Sequence, residues 1–278
     1  MARRMTTLEV RRTERITPHM VRVVAGGAEL AGFPDTPYTD RYVKIVFPRP
    51  DVSYPDPFDL ELIRASLPRE QWPQTRTYTV RALDRAAGEM TIDFVHHGDA
   101  GLAGPWAAGA VAGDRLRLLG PGGAYAPRPQ ADWHLLVGDE SALPAIGAAC
   151  ERVPAGVPVV AVLEVADDTE RQPLVGPGRL QAHWLYRTDG STERVLTRLR
   201  SLRLPTGRVH AFVHGEAGMV RAVRRYLLEE RGVPRDALSV SGYWRLGRDE
   251  DGWRADKAAE KGAEQAAAER SEEHAAAS

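Results

Sequence analysis

The stretch WHLLVGDESALPAIGAACERVPAGVPVVAVLEV, residues 133–165, decides the fold class. WHLLVGDES is an apolar run that ends in Gly-Asp. ALPAIGAACERV reads as a helix, and VPVVAVLEV is a continuous β-branched run with turn residues on both sides. A half-exposed strand alternates apolar and polar residues, so runs apolar throughout fit strands covered on both faces, as in parallel sheets. The alternation continues downstream. HWLYR is a candidate strand, STERVLTRLRSL a helix, RVHAFVHGE a strand, MVRAVRRYLLEERG an amphipathic helix with Gly232 at its C-terminal end, and LSVSGYWR a final strand. Alternating strand and helix gives a parallel α/β sheet. Its ligand is expected at the carboxyl ends of the strands, where VGDES and VHGEA lie.

Upstream the texture differs. Residues 8–128 carry short apolar or alternating runs at 8–12, 20–25, 42–47, 77–82, 89–95 and 114–119, punctuated by Gly, Pro and Asp. Many short strands at regular spacing suggest a small antiparallel barrel or sandwich. Three regions are therefore expected: a β domain over 1–128, an α/β domain over 129–248, and an Ala/Glu-rich tail over 249–278. The tail has high helix propensity but few apolar anchors, and a frayed helix or disorder is expected there.

Composition narrows the class. The chain has 278 residues, 43% hydrophobic and 27% charged, which suits a globular protein of two domains. No apolar run approaches the ~20 residues of a membrane span. The opening MARRMTTLEV is basic but lacks an apolar signal core, so the cytoplasm is the expected compartment. The single cysteine, Cys150, excludes an intramolecular disulfide and any Cys-based zinc or iron–sulfur site. It lies in a helical stretch and reads as buried packing. A net charge of −1 argues against broad nucleic-acid affinity. The tail holds nine acidic and four basic residues, −5 in all, and the body before it is +4.

VHHGDAGLAGPWA, residues 95–107, is the densest cluster of chemistry-bearing residues. As neighbours at a strand end, His96 and His97 point to opposite faces and do not share an ion easily. His210 and His214 have helical i,i+4 spacing but lie in a strand, where four residues span roughly 13 Å. No metal site is expected. No G-x-S-x-G elbow and no Walker motif occurs, and GPGGAY at 120–125 reads as a tight interdomain turn. The closely spaced glycines instead let backbone N–H groups approach an anion, and a helix starting in LAGPWAA would add a favourable dipole. In RTYTVR, residues 76–81, Arg76, Tyr78 and Val80 alternate with Thr77, Thr79 and Arg81. An arginine there can bind phosphate and an aromatic ring can stack on a planar cofactor; an ordinary half-exposed strand is the alternative.

Taken together and in order, RTYTVR, DFVHHGDAGLAGPWA, AGDRLRLLGPGG, WHLLVGDESALPAI, FVHGEAGMVRAVRRYL and SGYWRLG resemble the siderophore-interacting protein family of flavin-dependent ferric-siderophore reductases. The resemblance covers about residues 5–247. It implies a ferredoxin-reductase-like fold: an antiparallel Greek-key FAD-binding barrel followed by a parallel α/β NAD(P)-binding domain. It also implies FAD contacts at Arg76 (pyrophosphate), Thr77, Tyr78 (stacked on the flavin) and Thr79 (near its reactive edge). Asp93, Val95, His97, Gly98, Gly101, Ala103 and Trp106 complete that set. Leu102 replaces the family's usual proline, and His96 stands where an apolar residue is usual, with no role. Gly138, Asp139, Glu140, Ser141, Gly215 and Glu216 are implied to receive the nicotinamide nucleotide.

The implied activity carries electrons from NADPH or NADH through FAD to siderophore-bound iron(III), releasing iron(II). The cofactor supplies the chemistry, so no protein acid, base or metal ligand is assigned. Lys44 and Arg245 are candidates for attracting an anionic ferric chelate. Arg187 is a candidate partner for the NADPH 2′-phosphate, and Glu164 can instead favour the ribose hydroxyls of NADH. A general flavin or quinone reductase and a non-catalytic siderophore-binding flavoprotein are the alternatives. A monomer is expected.

Overall fold

The computed structural model describes residues 5–99, 101–187 and 193–247. The expected tail over 249–278 lies outside the described residues.

Six antiparallel strands close a barrel in the order β1-β2-β5-β4-β3-β6. They are β1 (Met5–Thr17), β2 (Met20–Gly26), β3 (Tyr42–Phe47), β4 (Gln74–Asp84), β5 (Glu89–Val95) and β6 (Arg115–Gly122). The period-2 pattern explains why they pair as they do. Leu8 and Val10, Val21 and Val23, Val43 and Ile45, Met90, Ile92 and Phe94, and Leu116 and Leu118 all turn inward to one core. A one-residue slip would turn these side chains out to water, so the register is fixed by burial. The barrel resolves the choice left open between barrel and sandwich.

Two excursions leave it. Between β3 and β4 the chain makes helix α1 (Leu60–Ser66), capped by Asp59, whose carboxylate accepts from the amides of Glu61 and Leu62. At seven residues it is too short to show a hydrophobic periodicity, and it was not expected. Between β5 and β6, helix α2 (Ala103–Gly109) packs Leu102, Ala103, Trp106 and Ala107 into the barrel core. Gly104 is obligatory here, because a Cβ would meet the Val95 carbonyl at 2.9 Å.

The second unit is a five-stranded parallel sheet in the order β11-β10-β7-β8-β9. Its strands are β7 (Trp133–Asp139), β8 (Pro158–Val165), β9 (Arg179–Tyr186), β10 (Val209–Glu216) and β11 (Leu238–Trp244). Helix α3 (Leu143–Cys150) covers one face; α4 (Arg194–Ser201) and α5 (Ala217–Arg225) cover the other. β7 is buried along its whole length, as its unbroken apolar run requires. The last helix differs from its expected form: after Arg225 it loosens into a π-helical turn over Tyr226–Glu230. The strand order reverses between β7 and β10, which opens a crevice at their carboxyl ends.

The units are joined firmly. Tyr125, just past β6, is buried in the sheet's core and stacks on His210 at 4.7 Å. Asp40 accepts from the amides of Ala124 and Tyr125, both at 2.9 Å. GPGGAY is not the tight turn expected: its first three residues finish β6, and the rest begins the connection to the sheet. Glu170, fully buried, accepts from the Thr17 hydroxyl (2.5 Å) and the His19 amide (3.0 Å), and its carboxylate meets the His19 ring. Arg81 on β4 pairs with Glu151 beyond α3 at 2.6 Å.

Candidate functional site

A cavity of about 520 Å³ lies where the barrel meets the carboxyl ends of the sheet. The barrel contributes Tyr42, Lys44, Thr77, Tyr78, Thr79, Asp93, Val95 and His97. The sheet side contributes Glu140, Ser141, Pro144, Arg187, Ser241, Gly242, Tyr243 and Trp244. The two segments singled out in the sequence, RTYTVR and VHHGDAGLAGPWA, therefore meet, because β4 and β5 are neighbours in the barrel.

On the barrel wall, Tyr78 packs one side against Phe94, ring centroids 4.4 Å apart, and faces the cavity with the other. Asp93 is 2% exposed and held by a forked pair from Arg22, Nε at 2.7 Å and a terminal nitrogen at 2.8 Å. It braces β5 against β2. His97 is exposed at the cavity wall, and the partial desolvation it meets there lowers its pKa, so a neutral imidazole faces the cavity near neutral pH. The His19 ring stands 6.5 Å from it. Gly98 and Gly101 have φ of 63° and 83°, with open space where a Cβ would sit. The first amides of α2 carry no side-chain cap. A flat aromatic wall, hydroxyls at its edge and uncapped amides beside an open glycine turn suit a flavin nucleotide, so the residues present fit FAD. Arg76, Gly98, Gly101, Ala103 and Trp106 do not line the cavity; Trp106 wedges against Phe47 and Phe94 in the core.

On the sheet wall, Asp139 ends β7 and gathers the strand ends around itself. One oxygen accepts from the Ser141 amide (2.9 Å) and hydroxyl (2.5 Å). The other accepts from the Glu216 amide (2.7 Å) and the Trp244 indole (2.9 Å). Burial pushes this carboxyl up to about 6 against the pull of those donors. Gly138 and Gly215 make the approach possible: a Cβ on Gly215 would meet the Asp139 carboxylate at 2.5 Å, and one on Gly138 would meet Ala142 at 2.6 Å. Glu216 caps α5 by accepting from the Met219 amide. Asp139 and Glu216 are thus positioning groups, while Glu140 and Ser141 reach the cavity. Glu140 pairs with Arg187 at 2.7 Å, and Glu164 lies between Arg187 (3.7 Å) and Arg194 (3.2 Å). Both candidates for reading the nucleotide's ribose are therefore in one ion-pair chain.

Lys44 lies on the cavity wall and Arg245 does not. The SGYWRLG segment lines the cavity with Ser241, Gly242, Tyr243 and Trp244, none of which sequence reasoning assigned. Their signal was the same motif; nothing in it said which side of the strand end faces inward. Among the described residues, no three His, Cys, Asp or Glu side chains cluster as metal ligands would.

Comparison with known proteins sharpens this geometry. Residues 9–125 match the family model of the siderophore-interacting FAD-binding domain, and residues 131–247 that of the siderophore-interacting protein. The chain belongs to the siderophore-interacting protein family. Its barrel is the family's FAD-binding domain. An uncharacterized protein of Mycobacterium tuberculosis is 43% identical to this siderophore-interacting protein over 267 residues, covering 91% of this chain and 94% of that one. The ferric vibriobactin reductase of Vibrio cholerae is 32% identical over 253 residues (88% and 91%). An NADPH-dependent ferric-chelate reductase of Escherichia coli is 29% identical over 246 residues (87% and 93%). Among solved structures, a siderophore utilization protein from T. fusca superimposes with a TM-score of 0.76 at 39% identity, over 90% of this chain and 95% of that one. A ferredoxin reductase of carbazole 1,9a-dioxygenase aligns with a TM-score of 0.61 at 16% identity (87% and 70%), which establishes a ferredoxin-reductase-like fold.

Proposed function

We propose that this protein is a ferric-siderophore reductase, with NAD(P)H as donor, FAD as carrier and siderophore-bound iron(III) as acceptor. The carrying observation is a cavity walled on one side by Tyr78, Thr79 and His97 and on the other by the ends of β7, β9 and β11. FAD, when bound, supplies the conversion of a two-electron donor into one-electron transfers. The chain's own residues bind and orient. Tyr78 offers a stacking face, Thr77 and Thr79 offer hydroxyls, and Val95 and His97 bound the flavin edge. Arg76 with the backbone at Gly98, Gly101 and Ala103 receives phosphate. Asp93, paired with Arg22, stiffens that wall, and Trp106 holds it from behind. Gly138, Asp139, Glu140, Ser141, Gly215 and Glu216 shape the nicotinamide side. Lys44 draws an anionic ferric chelate to the cavity mouth.

NADPH is the donor we favour. The Escherichia coli relative is named for it, and Arg187, which lines the cavity, offers a guanidinium for the 2′-phosphate. We assign the units to 1–128 and 129–248; the barrel's last strand ends at Gly122 and the sheet begins at Trp133. No helix among the described residues is long and apolar enough to cross a membrane. We assign the protein to the cytoplasm as a monomer, with the iron chelate as its small-molecule partner.

The deciding experiment is anaerobic. Addition of NADPH to the FAD-loaded protein should bleach the flavin absorbance. Ferric chelate with a ferrous trap should then restore the flavin and give the coloured ferrous complex. Bleaching without ferrous product across catecholate, hydroxamate and citrate chelates overturns the assignment in favour of a general flavin or quinone reductase. A protein that holds FAD and does not bleach is a binding protein.

A further inference from the structure

The proposed reaction leaves a proton behind. A hydride brings two electrons and one proton into the cleft as the dihydronicotinamide C–H bond breaks. Two ferric ions take the two electrons and nothing else. One proton per NAD(P)H must therefore leave the cavity between the two domains.

The structure contains a path from that cavity. Thr79, 6% exposed on the cavity wall, is hydrogen-bonded to the Tyr243 phenol across the domain interface. Tyr243 Oη lies 3.0 Å from His214 Nδ1. His214 Nε2 lies 2.9 Å from the Ser239 hydroxyl. His214 is 4% exposed, and its ring is held in plane by stacking on Phe212 at 3.7 Å. Ser239 is half-buried on β11, the outermost strand of the sheet. The four groups thus run from the wall of the cavity to the rim of the fold without a gap.

We propose that Thr79, Tyr243, His214 and Ser239 form a proton relay that carries this proton out of the cleft. The inference rests on the reductase reading. With Nε2 protonated, His214 accepts from Tyr243 at Nδ1 and donates to Ser239 at Nε2. Tyr243 in turn accepts from Thr79. Every hydrogen bond then points outward, and a proton entering at Thr79 is matched by one leaving at Ser239, with no net change in the chain's charge. Imidazole suits the middle position because its two nitrogens can take and give in one step. Tyr243 is held neutral, since burial raises its pKa far above neutrality, so it passes a proton and does not keep one. His214 and Ser239 act through Tyr243 and touch no reacting atom. Nothing in the six sequence motifs marks Ser239, and the strand spacing of His210 and His214 gave His214 no role.

The test separates the two half-reactions in the FAD-loaded protein. Flavin bleaching by NADPH reads hydride transfer. Reoxidation by ferricyanide reads electron and proton departure, and it does not depend on the siderophore assignment. His214→Gln should slow reoxidation at least about tenfold more than it slows bleaching, in keeping with the contribution of positioned proton transfer. Ser239→Ala, which removes one hydroxyl from the outermost strand, should act in the same direction and keeps the test open if His214→Gln does not fold. In mixed light and heavy water the unaltered protein should reoxidise with a curved proton inventory, and the variants with a straight one. A second readout needs no flavin: Tyr243→Phe should move the His214 Nδ1 nitrogen resonance of the FAD-free protein and leave Nε2 in place. Equal slowing of both half-reactions, no solvent isotope effect in the unaltered protein, or an Nδ1 signal indifferent to Tyr243→Phe each overturns the relay. Failure to make ferrous product with intact ferricyanide kinetics overturns the siderophore reading alone.

Discussion

His134 on β7 is wholly buried, and neither ring nitrogen has a hydrogen-bond partner. Its neighbour His210, with ring centroids 6.0 Å away, is also buried. Burial lowers both imidazoles to about 4, whereas the unfolded chain titrates near its ordinary value of about 6.5. Above pH 6.5 both states are neutral and the pair contributes its full stability. As pH falls from there towards 4, the unfolded chain takes up protons ahead of the folded one, so stability is lost, on the order of 3 kcal/mol per histidine. Urea titrations at pH 7 and 4.5 should therefore show a smaller acid loss for His134→Leu than for the unaltered protein. Leu removes two unsatisfied nitrogens at similar volume, so stability at pH 7 should hold or rise. Identical acid losses would sink this account. At the flavin wall, Tyr78→Ala and Arg76→Ala should each lower FAD occupancy of the purified protein, read from the ratio of visible to ultraviolet absorbance; unchanged occupancy would refute their placement. Such roles were partly legible in the sequence. Tyr78 and Thr79 on β4 and His97 just past β5 reach the cavity, as their motifs led one to expect, although Thr77, Tyr78 and Thr79 all line it where strict alternation would divide them. Asp93 also lines the cavity but is held by Arg22, and Trp106 turns into the barrel core, because neither an ion-pair partner on another strand nor side-chain direction in a short helix can be read from local pattern. Tyr243 was missed for the same reason.

The elements that frame the site are held by backbone geometry at the β7 and β10 ends. Gly215 adopts φ of 136°, a region costly to any residue with a Cβ, and its missing Cβ is where the Asp139 carboxylate lies. Gly215→Ala should cost about 1–3 kcal/mol in chemical denaturation from the backbone alone. It should also push Asp139 away from the Glu216 amide and the Trp244 indole. The expected kinetic signature is a raised KM for NAD(P)H with FAD occupancy kept, because the barrel is untouched; a matching loss of FAD would mean that the β7–β10 crevice does not serve the nicotinamide. A second joint lies after β8. Glu170→Ala strips the acceptor from the Thr17 hydroxyl and the His19 amide at a buried contact, at a cost of about 2–4 kcal/mol. Calorimetry should register roughly 5–10 °C off the melting temperature, and Glu170→Gln, which keeps an acceptor, should lose less. An unshifted melting temperature for Glu170→Ala would exclude this clamp. The strands themselves were readable, β3 and β5 to the residue, since period-2 burial is a local signal. Helix α1 was not, because seven residues capped by Asp59 carry no periodicity, and neither was the Glu170 contact, which joins residues about 150 positions apart.

At the scale of the whole molecule, the two-domain plan was legible at residue 130, where alternating strands give way to fully apolar ones. The cavity between the domains was not, since it lies between units joined by contacts of residues far apart in the chain, such as Tyr125 with His210 and Glu170 with Thr17. Charge is the remaining whole-molecule property with a consequence for function. Residues 249–278 hold nine acidic and four basic side chains, and the preceding body carries +4. A ferric catecholate complex is anionic, so the body attracts it and the tail repels it, over a distance set by ionic screening. Ending the chain after Arg248 should therefore lower the KM for an anionic ferric catecholate at low ionic strength. The gain should fade as salt is raised towards 1 M, where the screening length is about 3 Å. The turnover number at saturating chelate should not follow, because steering changes encounter and not the electron transfer that comes after it. A neutral ferric hydroxamate supplies the control, with the same FAD, the same donor and no charge to steer. Steady-state KM against salt for both chelates in both chains decides the matter. A gain that persists in high salt, or that appears equally for the neutral chelate, would mean that the tail acts by contact and not by charge.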